Sequence, residues 1–377
     1  MTKTPCPILQ FGTSRFLQAH VDLFVCEAAR RNPDDALGKI AMVQTTASTQ
    51  SRARIDAIRA KARYPVRIRG LHRKETVDLT IECDSVAQAL HADDDWPMLL
   101  ESIRDEVKVI VSNTADNGYA LFAEDTASVL DGRTAPRGFA AKLAVLLHER
   151  YRAGGKAITL LPCELVSRNG DVLRDLVLSV ARGWQMDADF LRYLTNDCIW
   201  VNSLVDRIVS EAIEPVGAVA EPYALWAIEQ QEGMVLPCRH ESIVVTDNLA
   251  HYERLKLFLL NLGHTMLAQC WLDSQGDPAT TVLDGMRNES WRATLESTWT
   301  DEVLPVFEAL GQSEIATKYL DDVRDRFSNP FLAHRLADIA NNHQEKKQRR
   351  LKPVVELASE LGVRVEQKHL KAALAGA

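Results

Sequence analysis

Pro7-Ile-Leu-Gln-Phe-Gly12-Thr-Ser-Arg-Phe16, continued to Arg30 by Leu-Gln-Ala-His-Val-Asp-Leu-Phe-Val-Cys-Glu-Ala-Ala, opens the chain with an apolar run, a glycine and a helical pattern. A strand over 7–12, a turn, and a helix over 16–30 is where dinucleotide-binding folds carry their glycine-rich loop. Glycines there let the backbone approach a pyrophosphate while the helix N-terminus faces its charge. Gly12 is present, but Ser14 stands where a second glycine would, offering a hydroxyl in place of close backbone approach. Gly12, Thr13, Ser14, Arg15 and Phe16 are therefore the expected phosphate-side residues. A single-glycine turn after a strand also occurs where nothing binds, so the turn alone does not decide.

The alternation continues through the first half. Strands are predicted at 39–45, 107–112 and 157–161, and a helix over 136–152 with Leu143, Leu146 and Leu147 on one stripe. Short apolar runs separated by helices require a parallel sheet with crossover connections. After about residue 210 the signals become helical, at 223–232, 248–271, 291–310, 315–326, 329–342 and 351–361, with Pro330 opening a helix that Asn329 caps. The expected fold is α/β: a Rossmann-like dinucleotide-binding domain over 1–210, followed by a mainly α-helical substrate domain over 211–377.

Tyr252-Glu-Arg-Leu-Lys256-Leu-Phe-Leu-Leu-Asn261-Leu-Gly-His264-Thr-Met-Leu-Ala268 sets a lysine, an asparagine and a histidine among Leu, Phe and Met. At 3.6 residues per turn, Asn261 falls roughly 140° and His264 roughly 80° round the axis from Lys256, so the three share one broad face. Lys256 and His264 are about 12 Å apart along the axis, the span of a small polyhydroxylated molecule. Positions 257–260, 262, 266 and 267 are apolar, as in a buried helix. Burial would lower the lysine pKa towards values useful for moving protons. A snorkelling lysine beside hydrogen-bonded core residues would give the same spacing.

This segment resembles the mannitol dehydrogenase family of polyol and sugar-acid dehydrogenases, whose catalytic motif reads Lys, four residues, Asn, two residues, His. Further stretches match in the same order: Gln10-Phe11-Gly12 through Phe16 and Ala19-His20, Ser112-Asn113-Thr114, Leu161-Pro162-Cys163-Glu164 with Asn169-Gly170, Leu204 to Ile208, and Arg326-Phe327 with Asn329-Pro330. Pro-Cys-Glu-Leu, Asn-Gly-Asp and Leu-Val-Asp-Arg-Ile-Val look most like the tagaturonate reductase (altronate oxidoreductase) branch. The resemblance implies hydride transfer between a secondary alcohol and a nicotinamide cofactor. Lys256 would be the general acid and base, Asn261 would steady the alkoxide, and His264 would orient a neighbouring hydroxyl. Glu253 would govern proton passage between the lysine and water, or form a surface helix pair with Lys256. Asp206, Arg207 and Arg326 are the implied substrate contacts, an arginine suiting a carboxylate because its planar donors grip both oxygens. Asn113 and Thr114 would meet the nicotinamide ribose or the substrate, and Glu164 either joins them or satisfies a local turn.

Two clues to the substrate disagree. Cys163-Glu164-Leu165 follows the hexuronate-reductase pattern rather than the Cys-Asp-Asn of polyol-specific members, whereas Glu221-Pro222-Tyr223 and Trp226 resemble the polyol side. The expected substrate is a sugar acid of the altronate or tagaturonate type, with a neutral polyol as the alternative. A non-catalytic dinucleotide sensor would explain the missing glycine, but it has no use for Lys256, Asn261 and His264 together. The family favours NAD. The acid-free stretch 43–48, Val-Gln-Thr-Thr-Ala-Ser, followed by Arg52 and Arg54, leaves NADP open, since an acid there usually holds the adenosine ribose.

Composition narrows the partners. A formal net charge of −8 and a pI near 5.7 argue against nucleic acid or an anionic membrane, both of which need a basic surface. Glu345 to Arg350, Glu-Lys-Lys-Gln-Arg-Arg, reads as a solvated helix face. The seven cysteines are odd in number and scattered, with no Cys-x-x-Cys and no metal-ligand cluster, so reduced thiols and a metal-free site are expected. With neither a signal peptide nor a run of 18 apolar residues, the chain is expected in the cytoplasm. Its oligomeric state is left open.

Overall fold

The computed structural model describes residues 4–46, 49–114 and 118–376; Ala47 and Ser48, at the end of the acid-free stretch, lie outside them. The chain divides into two compact units. The first comprises Met1–Arg67, Thr80–Ala220 and Ala224–Leu249, and the second Ile68–Leu79, Glu221–Tyr223 and Ala250–Ala377. Among the described residues no helix is long and apolar enough to cross a membrane.

The first unit begins with β1 (Ile8–Phe11) and β2 (Ile40–Gln44). The hairpin β3 (Tyr64–His72) and β4 (Glu75–Cys83) follows, its residues Ile68–Leu79 belonging to the second unit, then β5 (Val86–His91), β6 (Val109–Ser112), β7 (Ile158–Pro162) and β8 (Cys198–Trp200). Six of these strands pair in parallel in the order β5-β2-β1-β6-β7-β8. Every residue of β1, β2, β6 and β7 is buried, as parallel strands covered on both faces must be, and these four are the strands expected from the sequence. The order is that of a doubly wound dinucleotide fold. The chain runs outward from β1 on one side, then returns to β6 on the other, so the crevice at the carboxyl ends of β1 and β6 is the topological switch point.

Helix Phe139–Arg152 crosses this sheet, its start fixed by the Asp125 carboxylate, which accepts from the backbone N–H of Arg137 and Gly138 at 2.7 Å each. Leu143, Leu146 and Leu147 are fully buried, as the stripe requires. Each contributes about 1.5–3 kcal/mol relative to exposure.

The chain from residue 203 to 246 is strand-rich, and past about residue 210 this departs from the expected helical pattern. It forms β9 (Ser203–Asp206), β10 (Val209–Ala212), β11 (Ala218–Ala220), β12 (Leu225–Glu229) and β13 (Ile243–Thr246). The helix expected at 223–232 is instead the central strand β12, antiparallel to β9 and parallel to β13. Leu225, Trp226, Ala227 and Ile228 are buried in succession. A short continuous apolar run reads the same for a strand covered on both faces and a buried helix, and pairing on both edges decides for the strand.

The second unit is helical. Its core gathers Leu259, Leu262 and Leu267 with Trp299, Val303, Phe307, Leu320, Val323 and Phe327. The helix expected from Pro330 is absent, and the chain stays irregular until Leu336–Ile339. Asn329 does not cap a helix. Its Oδ1 accepts from Phe331 N at 2.9 Å and its Nδ2 donates to Arg69 O at 3.3 Å, while the Arg69 guanidinium lies 4.1 Å over the Phe331 ring. The backbone of β3 thus takes up the Asn329 Nδ2 donor, while the Asn329 oxygen closes a local turn onto Phe331 N with no helix following it. Gly70 permits this approach, since a Cβ there would come within 2.8 Å of Asn329 Nδ2.

Among the described residues three helices contain a π turn, at Gln18–Asp22, Lys256–Asn261 and Thr298–Val303. The second corrects the sequence geometry of the Lys–Asn–His segment. Lys256 to Asn261 is not α-helical, so the roughly 140° separation from 3.6 residues per turn does not apply. In a π turn the backbone bonds run from i to i+5, which draws residues five apart towards one face.

Candidate active site

The nucleotide side of the first unit is built at the switch point. Gly12 ends β1 with φ of +123°, and a Cβ there would lie 2.5 Å from Asn113 O, so only glycine lets the loops after β1 and β6 meet. Ser14 caps the following helix by accepting from Leu17 N at 3.3 Å, and its hydroxyl proton goes to Asn113 Oδ1 at 3.2 Å. The serine that replaces the second glycine therefore ties the two loops together. Thr13 is buried, and its carbonyl accepts from Gln18 Nε2 at 3.1 Å. Arg15 is exposed, and Phe16 stacks on His20 at 4.8 Å.

Asn113 Nδ2 donates to Cys163 O at 2.9 Å. Glu164 accepts from Thr114 N and Oγ1 at 3.0 Å through one oxygen, and from Ser112 Oγ at 3.0 Å through the other. Burial raises its pKa, partly offset by these bonds. The carboxylate is thus taken up in shaping the turn after β6, and it fixes the Thr114 backbone. The loops after β1, β6 and β7 form one hydrogen-bonded rim, which brings Gly12, Ser14, Asn113, Thr114 and Glu164 together. Asp206, buried at the end of β9, and Arg207, whose Nη1 donates to Ala19 O at 2.6 Å, lie in the same unit.

At the end of β2, Gln44 Nε2 donates to Thr46 O at 2.6 Å. Arg52 pairs with Asp94 at 2.9 Å, an acid from the loop after β5 that the reading of β2 alone missed.

In the second unit one helical segment carries Glu253, Lys256, Asn261 and His264. Glu253 belongs to the α-helical part Leu249–Leu255, Lys256 and Asn261 bracket the π turn, and His264 lies in Leu262–Asp273. Lys256 and Asn261 are half-buried rather than fully enclosed, and His264 is buried. The His264 ring stacks on Phe327 at 4.4 Å and meets His334 edge-on at 4.9 Å. Burial holds the His334 pKa below the ordinary histidine value. No spacing rule links His334 to His264, and the sequence reading missed it.

Arg326 is buried and doubly bonded to Glu221, Nε to Oε2 at 3.0 Å and Nη2 to Oε1 at 2.9 Å, with Tyr223 under the guanidinium at 4.4 Å. Two of the fork's donors are occupied, so a substrate carboxylate would meet a charge already countered by Glu221. Among the described residues no three His, Cys, Asp or Glu side chains form a metal-binding group.

The family model of the mannitol dehydrogenase Rossmann domain matches residues 6–235, and that of the mannitol dehydrogenase C-terminal domain matches 248–377. The altronate oxidoreductase of Halalkalibacterium halodurans is 30% identical over 375 residues, covering 93% of this chain and 70% of that one. Its Bacillus subtilis counterpart is 30% identical over 387 residues, covering 96% and 77%. Among solved structures, a D-sorbitol dehydrogenase in substrate-free form matches with a TM-score of 0.81 at 22% identity, over 95% of this chain and 77% of that one. Pseudomonas fluorescens mannitol 2-dehydrogenase, in ternary complex with NAD and D-mannitol, gives 0.73 at 19% identity, over 99% and 79%. At such identities the structural likeness speaks for the fold, while the two family models and the 30% relatives cover nearly the whole sequence: the chain belongs to the mannitol dehydrogenase family.

Proposed function

We propose that the protein is a nicotinamide-dinucleotide-dependent oxidoreductase that interconverts a secondary alcohol and a ketone on a sugar acid of the altronate or tagaturonate type. The observation that carries the reading is the segment 256–264, where a half-buried lysine, an asparagine and a buried histidine are set among Leu257, Phe258, Leu259, Leu260 and Leu262. The sugar acid is supported by the altronate oxidoreductases at 30% identity.

The cofactor, when bound, supplies or accepts the hydride. Gly12 to Phe16 would face its phosphates from the helix start, and Asn113 and Thr114 its ribose. NAD is the proposed form. An Arg52 already paired with Asp94 has less to offer a 2′-phosphate than a free guanidinium. In the reducing direction Lys256 gives a proton to the carbonyl oxygen, and the Asn261 amide donates to that oxygen as charge builds on it. His264, held flat against Phe327, orients the hydroxyl next to the reacting carbon. Glu253, one turn earlier, passes protons between the lysine and water. In oxidation the same groups run in reverse, with Lys256 neutral as it takes the proton.

A neutral polyol is the second reading. The Glu221–Arg326 pair favours it, because a guanidinium gripped by a carboxylate brings no net charge to a substrate acid.

Lys256→Met tests the mechanism. It should leave folding and cofactor binding near normal while lowering turnover at least about 10²-fold, the lower end for lost general acid–base catalysis. A variant that keeps most of its activity would sink the assignment.

A further inference from the structure

The π turn at Lys256–Asn261 needs something to hold it, because it gives up the regular i to i−4 bonding of the helix on either side. Trp299 is fully buried, and its indole Nε1 donates to Leu259 O, inside that turn, at 3.0 Å. Its six-membered ring lies against Gly263, the residue before His264. A Cβ at Gly263 would fall 2.4 Å from Trp299 Cζ2 and 3.1 Å from Cε2, so no larger residue fits without moving the ring. The ring also sits 5.6 Å from Phe327, the residue on which His264 stacks. One indole therefore touches the segment at two places, the carbonyl between Lys256 and Asn261 and the backbone between Asn261 and His264, and it packs against the Phe327 ring on which His264 stacks.

We propose that Trp299 is a positioning residue that holds this π turn and so sets the register of Lys256, Asn261 and His264. Without the wide turn, Lys256 and Asn261 return to the roughly 140° separation of an α-helix and no longer address one oxygen together. The inference rests on the catalytic role assigned to Lys256 above.

Trp299→Phe keeps most of the ring volume and loses the donor. It should lower kcat about tenfold, as small displacements of reacting groups do, with KM changed less than about threefold. In a Lys256→Met background, where the positioned group is gone, the same substitution should lower residual turnover less than about twofold. Full turnover in the single variant, or an equal drop in both backgrounds, overturns the proposal.

Backbone amide exchange separates this failure from that of the functional reading. Trp299→Phe should speed exchange across 256–263 at least about tenfold while leaving the strands of the first unit unchanged. Unchanged exchange at 256–263 overturns the proposal whatever Lys256 does. Should Trp299→Phe not fold, Gly263→Ala reaches the same contact from the other side. It must also lower kcat with KM little changed, and normal turnover in that variant overturns the proposal.

Discussion

At the residue scale, one buried carboxyl stands outside the groups assigned to the proposed mechanism. Asp22 is fully buried at the end of the first π turn, and Tyr64 donates to its Oδ2 at 2.5 Å. Burial pushes its carboxyl up to about 7, against the lowering effect of hydrogen bonds from Tyr64 and Gln10. In the unfolded chain the same group titrates near the ordinary value of about 3.9. Between about pH 4 and about pH 7 the folded state holds a proton that the unfolded state has lost, so this contribution to stability falls as pH rises. Across that whole window the loss amounts to roughly 4 kcal/mol at most. Asp22→Asn, neutral throughout, should therefore gain on the parent protein as pH is raised across that window, read from denaturant midpoints. A constant difference between the two would contradict it. Lys256, Asn261 and His264 stood out in the sequence as three polar side chains within nine positions of one element, and their proposed roles came from the family resemblance. The Glu221–Arg326 pair joins residues 105 positions apart, and no periodicity reveals such a partner. That pair also bears on experiment. Removing one member of a buried ion pair costs about 3–5 kcal/mol, so Arg326→Ala would report on stability before specificity.

At the element scale, the parallel strands were readable because each is a short apolar run buried on both faces, and the turn after β1 because it needs a glycine. Gly12 is needed for packing within the fold in addition to the approach its position suggests. Its missing Cβ makes room for Asn113 O, and its positive φ suits no other residue. Gly12→Ala should destabilise the protein by about 2–5 kcal/mol, combining backbone strain with overpacking. Unfolding curves within about 0.5 kcal/mol of the parent would show that the loops after β1 and β6 yield. Sequence reasoning failed where tertiary pairing decides. β12 has the composition of a buried helix but lies between two partner strands, and Asn329 has the look of a cap, but its oxygen closes a local turn onto Phe331 N and no helix follows until Leu336. The π turn was invisible for a different reason. Its Leu-Phe-Leu-Leu interior suits any helix, and its indole donor comes from Trp299, forty positions away.

At the scale of the whole molecule, the chain joins a doubly wound dinucleotide fold to a helical unit that carries the Lys–Asn–His segment, and family membership extends over both. The fold was legible from β1 and its turn, together with the alternation that follows. The substrate was not, because the residues that would discriminate an acid from a polyol give opposing signals. Cys163-Glu164-Leu165 points to the acid, and the countered Arg326 to the polyol. The central claim is tested most directly by steady-state reduction of tagaturonate against fructose by the same enzyme with NADH. The account predicts a kcat/KM at least about tenfold higher for tagaturonate, in line with the 1.5–3 kcal/mol of one hydrogen bond to a charged group. A higher kcat/KM for fructose would contradict it and make the protein a polyol dehydrogenase.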